Sequence, residues 1–257
     1  MAFEEASRIV EVRGQRARLV ELGRGEPVVV LHGWGGRIES MAPVLGCLAG
    51  TRRALALDLP GFGESPLPDE VWGTPEYADF VCDVLESLGI EAADFVGHSF
   101  GAKTSLQIAA TRPGVVRKLV LTASSGLRTP PSLGARVRRG MSRAGRVAGR
   151  FGPPGRAFRN AVYRRVASQD YREAGALRPI LVKVVNEDLR PLLPRVSAPT
   201  LLVWGTRDQA VPLSHGRAME AGIPDAGLVL FEGAGHFAYL EEPDRFCTIV
   251  RHFIGDG

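Results

Sequence analysis

The stretch Val96-Gly97-His98-Ser99-Phe100-Gly101 constrains this chain more than any other. It joins an apolar strand end, Asp94-Phe95-Val96, directly to a segment of helical spacing from Gly101 through Ala110. The pattern Gly-x-Ser-x-Gly is a nucleophile elbow, in which a serine sits on a strained turn between strand and helix. Side chains at Gly97 and Gly101 would collide with the neighbouring strand and helix. The turn pushes the Ser99 hydroxyl over the carboxyl edge of a sheet, and the Phe100 N–H points at the same spot from the helix N-terminus, where partial positive charge gathers.

The surrounding chain supplies such a sheet. Arg8 to Arg13 and Gln15 to Leu22 alternate around Gly14, as an antiparallel hairpin does. Pro27 to Leu31, Arg53 to Leu57, Val115 to Ala123, Pro199 to Trp204 and Gly227 to Phe231 are apolar runs expected of strands buried on both faces. Ser40 to Leu48, Thr74 to about Leu88, Leu213 to Ala221 and Glu242 to Ile254 read as helices, with Thr74 as an N-cap and Pro75 at the first helical position. Strand, loop, helix, strand is the rhythm of a doubly wound, mostly parallel α/β sheet, here of about eight strands. Functional groups of such sheets gather at the carboxyl ends of the strands.

Between Ser124 and Leu193 the rhythm breaks. Helical patches at Leu133 to Ala148, Arg156 to Ala167 and Tyr171 to Val185 are separated by Gly and Pro. Fifteen Lys and Arg stand against four Asp and Glu, so the segment carries +11, whereas the whole chain carries +4 and the remainder −7. The expected organisation is a core domain of residues 1–123 and 194–257 with a helical cap inserted at 124–193. The 257 residues, 45% hydrophobic and 23% charged, suffice for one large domain or two small ones. No apolar run approaches the ~20 residues of a membrane span. Met1 to Glu11 holds three glutamates and no apolar core, unlike a secretory signal. Cys47, Cys82 and Cys247 are odd in number and widely spaced, and are expected as reduced thiols of a cytoplasmic protein. None has a histidine at ligand spacing, so neither a metal site nor a cofactor is expected.

Three residues fall on loops after three different strands: Ser99, Asp208 and His236. Serine hydrolysis needs a nucleophile, a base for its proton and a carboxylate that holds the base in one tautomer. The chain order Ser, Asp, His is that of this sheet type. The chain resembles the α/β-hydrolase fold superfamily, in its capped group of esterases, carbon–carbon bond hydrolases and related enzymes. The resemblance covers nearly the whole chain and is carried by His32-Gly33-Trp34-Gly35-Gly36, Asp58-Leu59-Pro60-Gly61-Phe62-Gly63-Glu64-Ser65, the elbow, Gly205-Thr206-Arg207-Asp208 and Gly235-His236-Phe237. It implies that Trp34 and Phe100 supply the two oxyanion-hole N–H groups, and that Ser99 excludes the aspartyl-ester chemistry of dehalogenases and epoxide hydrolases. Two departures stand out. Ala102 replaces a frequent glycine. Lys103 places a cation in the first turn of the elbow helix, against the dipole, and is expected to pair with Asp58 or Glu64.

The implied reaction is acyl transfer to water, with a carboxylic ester as the expected bond. Thioester, perhydrolase and meta-cleavage carbon–carbon chemistry would use the same triad. A low-turnover ligand receptor on the same fold is the alternative outside catalysis. The basic cap suits a small acyl substrate that is acidic or carried on an acidic protein, as in pimeloyl-carrier-protein methyl ester esterases. The Arg-rich segment lacks the aromatic interleaving of nucleic-acid binders. A monomer or homodimer without integral membrane association is expected. Of the remaining histidines, His98 reads as a packed elbow residue, His32 as a hydrogen-bonder behind the oxyanion loop, and His215 and His252 as surface groups.

Overall fold

The computed structural model describes residues 5–128 and 174–255. Contacts divide the chain into two compact units, Met1–Leu127 with Lys183–Gly257, and Arg128–Val182. Most of the second unit lies outside the described residues, as do the helical patches expected at Leu133 to Ala148 and Arg156 to Ala167 and most of the arginines on them. Its described part is Arg128, a 3-10 turn at Gly175–Leu177 and the start of a helix at Arg178.

The larger unit is built on one eight-stranded sheet: β1 Ser7–Val12, β2 Gln15–Leu22, β3 Pro27–Leu31, β4 Arg53–Leu57, β5 Ala93–His98, β6 Val116–Thr122, β7 Thr200–Gly205 and β8 Ala226–Phe231. The order is β1-β2-β4-β3-β5-β6-β7-β8. The N-terminal hairpin joins antiparallel, and every pair from β4 to β8 is parallel. The register Leu31↔Gly97 and His98↔Thr122 brings the ends of β3, β5 and β6 level at one edge. This is the doubly wound sheet expected from the apolar runs.

The described helices are α1 Ala42–Leu48, α2 Thr74–Ser87, α3 Phe100–Thr111, α4 Arg178–Asn186, α5 Leu213–Gly222, the short α6 Ala238–Glu241 and α7 Pro243–Ile254. Alternate strand residues project to opposite faces. Val28, Val30, Ala54, Ala56, Val96, Val120 and Val203 share one buried cluster with Val44, Leu45, Phe246 and Val250 of α1 and α7. On the other face Val29, Leu55, Phe95 and Leu119 are equally buried, and α3 packs on β5, β6 and α2. Burying a Leu- or Phe-sized side chain contributes about 1.5–3 kcal/mol, so these two layers hold the sheet edge that carries the loops.

The structure corrects four expectations. Cys47 of α1 and Cys247 of α7 are joined as a disulfide, with Cα atoms 6.0 Å apart across 200 residues of sequence. The two helices pack side by side, which spacing along the chain does not reveal. Only Cys82 remains a thiol, half-buried, with its pKa pushed up to about 11 by burial. The cysteines therefore no longer argue for a reducing compartment. The N-cap of α2 is Gly73 rather than Thr74; Thr74 is the first helical residue, and its N–H and hydroxyl both donate to Glu187. Lys103 pairs with neither Asp58 nor Glu64. Its Nζ lies 3.0 Å from Glu187 Oε2 and donates to the Val184 carbonyl at 2.5 Å. Burial lowers the Lys103 pKa, and the Glu187 carboxylate opposes that shift. Finally, His215 is buried in α5, whereas His252 is exposed. Among the described residues no helix is long and apolar enough to cross a membrane.

Candidate active site

The elbow forms because β5 runs into α3 with no connecting loop. Ser99 is the single residue between them and sits at φ 50°, ψ −103°, a conformation that side-chain-bearing residues rarely adopt. A Cβ on Gly97 would stand 2.6 Å from the Ala102 nitrogen, and one on Gly101 would strike the Leu31 carbonyl at the end of β3. The glycines thus let the helix pass directly over the neighbouring strand. The strain is held by Ser99 N–H donating to Thr122 O at 3.0 Å and Lys103 N–H donating to Ser99 O at 3.0 Å. Among the described residues the Ser99 hydroxyl makes no hydrogen bond.

Asp208 and His236 are brought into direct contact. Asp208 follows β7 and is buried, and its Oδ2 lies 2.8 Å from His236 Nδ1. A carboxylate only accepts, so Nδ1 carries a proton and the basic nitrogen of the neutral ring is Nε2. The other oxygen, Oδ1, accepts from the N–H groups of Ala210 and Val211, both at 2.8 Å. Asp208 therefore organises its own loop while orienting the imidazole. The His236 ring stands 4.7 Å from that of His98, the residue before Ser99.

On the other side of the elbow, the His32 to Gly36 loop leaves β3. Phe100 is the first residue of α3, where an N–H has no partner within the helix. The Trp34 N–H likewise takes no part in the loop hydrogen bonds; the loop closes through Gly36 N–H to Gly33 O, 3.0 Å. The half-buried Trp34 indole lies edge-on to Phe62 at 4.9 Å and Phe100 at 5.6 Å. Tyr77 continues this cluster, 5.0 Å from Phe100, and its hydroxyl donates to Pro60 O at 2.9 Å. Burial raises its pKa far above neutrality.

His32 stands behind this loop, as expected. Leu59 N–H donates to its Nε2 at 3.0 Å, so Nδ1 carries the proton and donates to Gly33 O at 2.8 Å. Burial lowers its pKa, and Asp58 and Glu39 only partly compensate. Asp58, wholly buried, accepts from Ile38 N–H at 2.7 Å and Glu64 N–H at 2.9 Å. Arg18, contributed by β2, reaches Glu39 at 2.7 Å, Glu64 at 3.0 Å and Asp58 at 3.6 Å. This Arg18 clamp and the Glu187 partner of Lys103 were not legible in the sequence. The dipole-opposing Lys103 signalled a buried carboxylate without saying which. Among the described residues no group of His, Cys, Asp and Glu has the arrangement of a metal site.

The chain is similar to known proteins along most of its length. The alpha/beta hydrolase family profile matches residues 28–249. A 2-hydroxymuconate semialdehyde hydrolase of Pseudomonas sp. (strain CF600) is 30% identical over 98% of this chain and 95% of its own. A pimeloyl-[acyl-carrier protein] methyl ester esterase of Aeromonas hydrophila is 29% identical over 91% of this chain and 97% of its own. Among solved structures, a meta-cleavage product hydrolase from Pseudomonas fluorescens IP01 superposes with a TM-score of 0.75 at 22% identity, over 98% of both chains, and so shares the fold. The chain belongs to the alpha/beta hydrolase family.

Proposed function

We propose that this hydrolase is a serine esterase in which Ser99 attacks, His236 is the general base and acid, Asp208 orients it, and the N–H groups of Trp34 and Phe100 receive the oxyanion. The observation that carries the reading is the 2.8 Å contact of His236 Nδ1 with Asp208, made on a loop that packs against the strained serine elbow. The bare Nε2 takes the Ser99 proton as the hydroxyl oxygen bonds to the carbonyl carbon. The same proton goes to the leaving alcohol as the carbon–oxygen bond breaks. Water then repeats the sequence on the acyl-enzyme and regenerates Ser99. Two preorganised donors facing the developing charge lower such a barrier by several kcal/mol, each worth about 10²–10³ in kcat.

The Arg-rich insertion 124–193 is the part we assign to substrate choice, as a cap whose +11 charge suits an acidic acyl group or an acidic protein that carries one. Attraction of that kind is screened within about 8–10 Å at physiological salt. Hydrolysis of a carrier-bound ester should therefore fall steeply with salt while hydrolysis of a neutral ester does not. Equal salt dependence of the two would remove the electrostatic role. The protein is expected to be a monomer or homodimer.

Carbon–carbon cleavage is a second reading, favoured by the near full-length match to the 2-hydroxymuconate semialdehyde hydrolase. The deciding experiment sets p-nitrophenyl esters from acetate to dodecanoate beside 2-hydroxymuconate semialdehyde, with Ser99→Ala as control. Ester turnover that vanishes in the variant supports the esterase. Turnover of the semialdehyde alone moves the assignment to the second reading. Ligand binding retained by Ser99→Ala, with no turnover of any substrate by the unmodified protein, points to a receptor.

A further inference from the structure

His98 belongs to none of the roles above, yet its ring touches both the loop that carries His236 and the loop that carries Trp34. It ends β5, paired with Thr122, one residue before Ser99, and is 2% exposed. Its Nε2 lies 3.0 Å from the carbonyl oxygen of His236. A carbonyl only accepts, so Nε2 carries the proton. The ring packs 4.7 Å from His236, 5.1 Å from Phe237 and 5.0 Å from Tyr239. At its other edge, a Cβ on Gly33 would stand 2.7 Å from Nδ1, so the backbone of the oxyanion loop also rests on this ring.

We propose that His98 is a positioning residue for the catalytic base: its ring N–H, anchored on the rigid end of β5, holds the His236 carbonyl and so fixes the imidazole over the elbow. This rests on the triad reading above. His236 is then held at two points, its ring by Asp208 and its backbone by His98, which together set its direction. Removing either leaves a pivot, and a misplacement of about 1 Å can cost about 10²-fold in rate. The titratable groups facing His98 are His236 and Asp208 from the loops after β8 and β7, His32 from the oxyanion loop and Tyr239 from α6. Burial first, then the neighbouring His236, push the His98 pKa down to about 3. The ring thus stays a neutral donor across the working range. It does not repel His236 when that ring takes up the Ser99 proton.

The test compares His98→Phe, which keeps ring and volume but has no donor, with His98→Gln, whose amide N–H reaches about as far as Nε2. Three readouts are made on the full chain: the rate at which a fluorophosphonate labels Ser99, kcat and KM on p-nitrophenyl butyrate, and the His236 ring signals in ¹⁵N-resolved NMR. The His98→Phe variant should be labelled roughly 10–100-fold more slowly, with kcat falling in parallel and KM within about twofold. The His98→Gln variant should return to within about fivefold of the unmodified protein, and its acid limb of kcat/KM should be unshifted. The His236 Nδ1–H signal should broaden in the His98→Phe variant and persist in the His98→Gln variant. Labelling at the original rate with an unchanged His236 signal in His98→Phe overturns the proposal. So does a His98→Gln variant as slow as His98→Phe at equal Tm. If His98→Phe does not fold, His98→Leu takes its place. If the unmodified protein neither takes the label nor cleaves an ester, the triad reading fails, and the His236 ring signals alone decide the role of His98.

Discussion

The two sides of the serine elbow are each held by a buried neutral histidine that donates to a backbone carbonyl, but in different company. His32, on the side we propose for the oxyanion, has both ring nitrogens engaged, by Gly33 O and Leu59 N–H, and is backed by Arg18, Asp58, Glu39 and Glu64. His98, on the base side, has one bond to His236 O and a shell of His236, Phe237 and Tyr239 rings. The oxyanion loop is therefore fixed redundantly, by charges, ring contacts and main-chain bonds. The base loop is tied down around His236, by Arg207 N–H to Ala234 O, Gly233 N–H to Thr206 Oγ1 and Gly235 N–H to Glu241. Among the described residues, however, His236 itself is held by two hydrogen bonds, to Asp208 and to His98. Damage to the first should appear mainly as lost stability, and damage to the second mainly as lost rate.

The sharpest way to break that contrast is Asp208→Asn. The amide keeps an oxygen for Ala210 and Val211 N–H but offers a poor partner to His236 Nδ1–H. We expect kcat to fall by about 10³–10⁴-fold with the stability loss within about 1–2 kcal/mol. A variant that lost its fold and kept its rate per folded molecule would invert the comparison. Next in size is Asp58→Ala. It strands the N–H groups of Ile38 and Glu64 and removes the wholly buried carboxylate beside Arg18, which keeps Glu39 and Glu64. Breaking a buried charged network of this kind costs about 3–5 kcal/mol. Urea unfolding should show that loss. Activity per fluorophosphonate-titrated site should fall by less than about tenfold.

How far the sequence foretold this contrast depends on the range of each contact. The elbow and the eight-stranded sheet were legible because glycine sterics and apolar runs are local. The turn at Asp58 to Ser65 was legible as a rigid loop, but not its clamp, because Arg18 reaches it from the N-terminal hairpin. The same holds for Lys103 and Glu187, 84 residues apart, and for Cys47 and Cys247. A burial pattern reports that a polar side chain is inside; it does not report which carboxylate or sulfur faces it. His98 was legible only as packed, since the donor role lies in one bond to a backbone carbonyl 138 residues away.

Acid titration sharpens the comparison through the neutral state of His98. Its folded pKa is about 3 against 6.5 for the free side chain. Between those values the unfolded chain binds a proton that the folded chain refuses, so stability rises with pH in that window and is lost as pH falls below 6.5. One fully resisting histidine contributes about 1.4 kcal/mol per pH unit, hence about 2 kcal/mol between about pH 6.5 and 5. Urea midpoints at the two values should show this loss. His98→Gln should remove most of that share, and an unchanged pH slope in the variant would place the acid sensitivity elsewhere, with His32 the next group to replace.

The smallest effect is expected where the oxyanion side is most redundant. The Glu64 side chain is 68% exposed and lies 3.0 Å from Arg18. An exposed ion pair contributes about 0–1 kcal/mol and is screened by salt. Arg18 also keeps Glu39 and Asp58 when Glu64 is removed, and the Glu64 N–H that Asp58 accepts is backbone, which a substitution leaves in place. Glu64→Ala should therefore change stability by less than about 1 kcal/mol and the rate by less than about twofold, with the difference vanishing at high salt. A loss comparable to that of Asp58→Ala would mean that the four charges act as one cooperative unit. The oxyanion side would then be no better buffered against single changes than the base side, and the contrast between them would lie in chemistry alone.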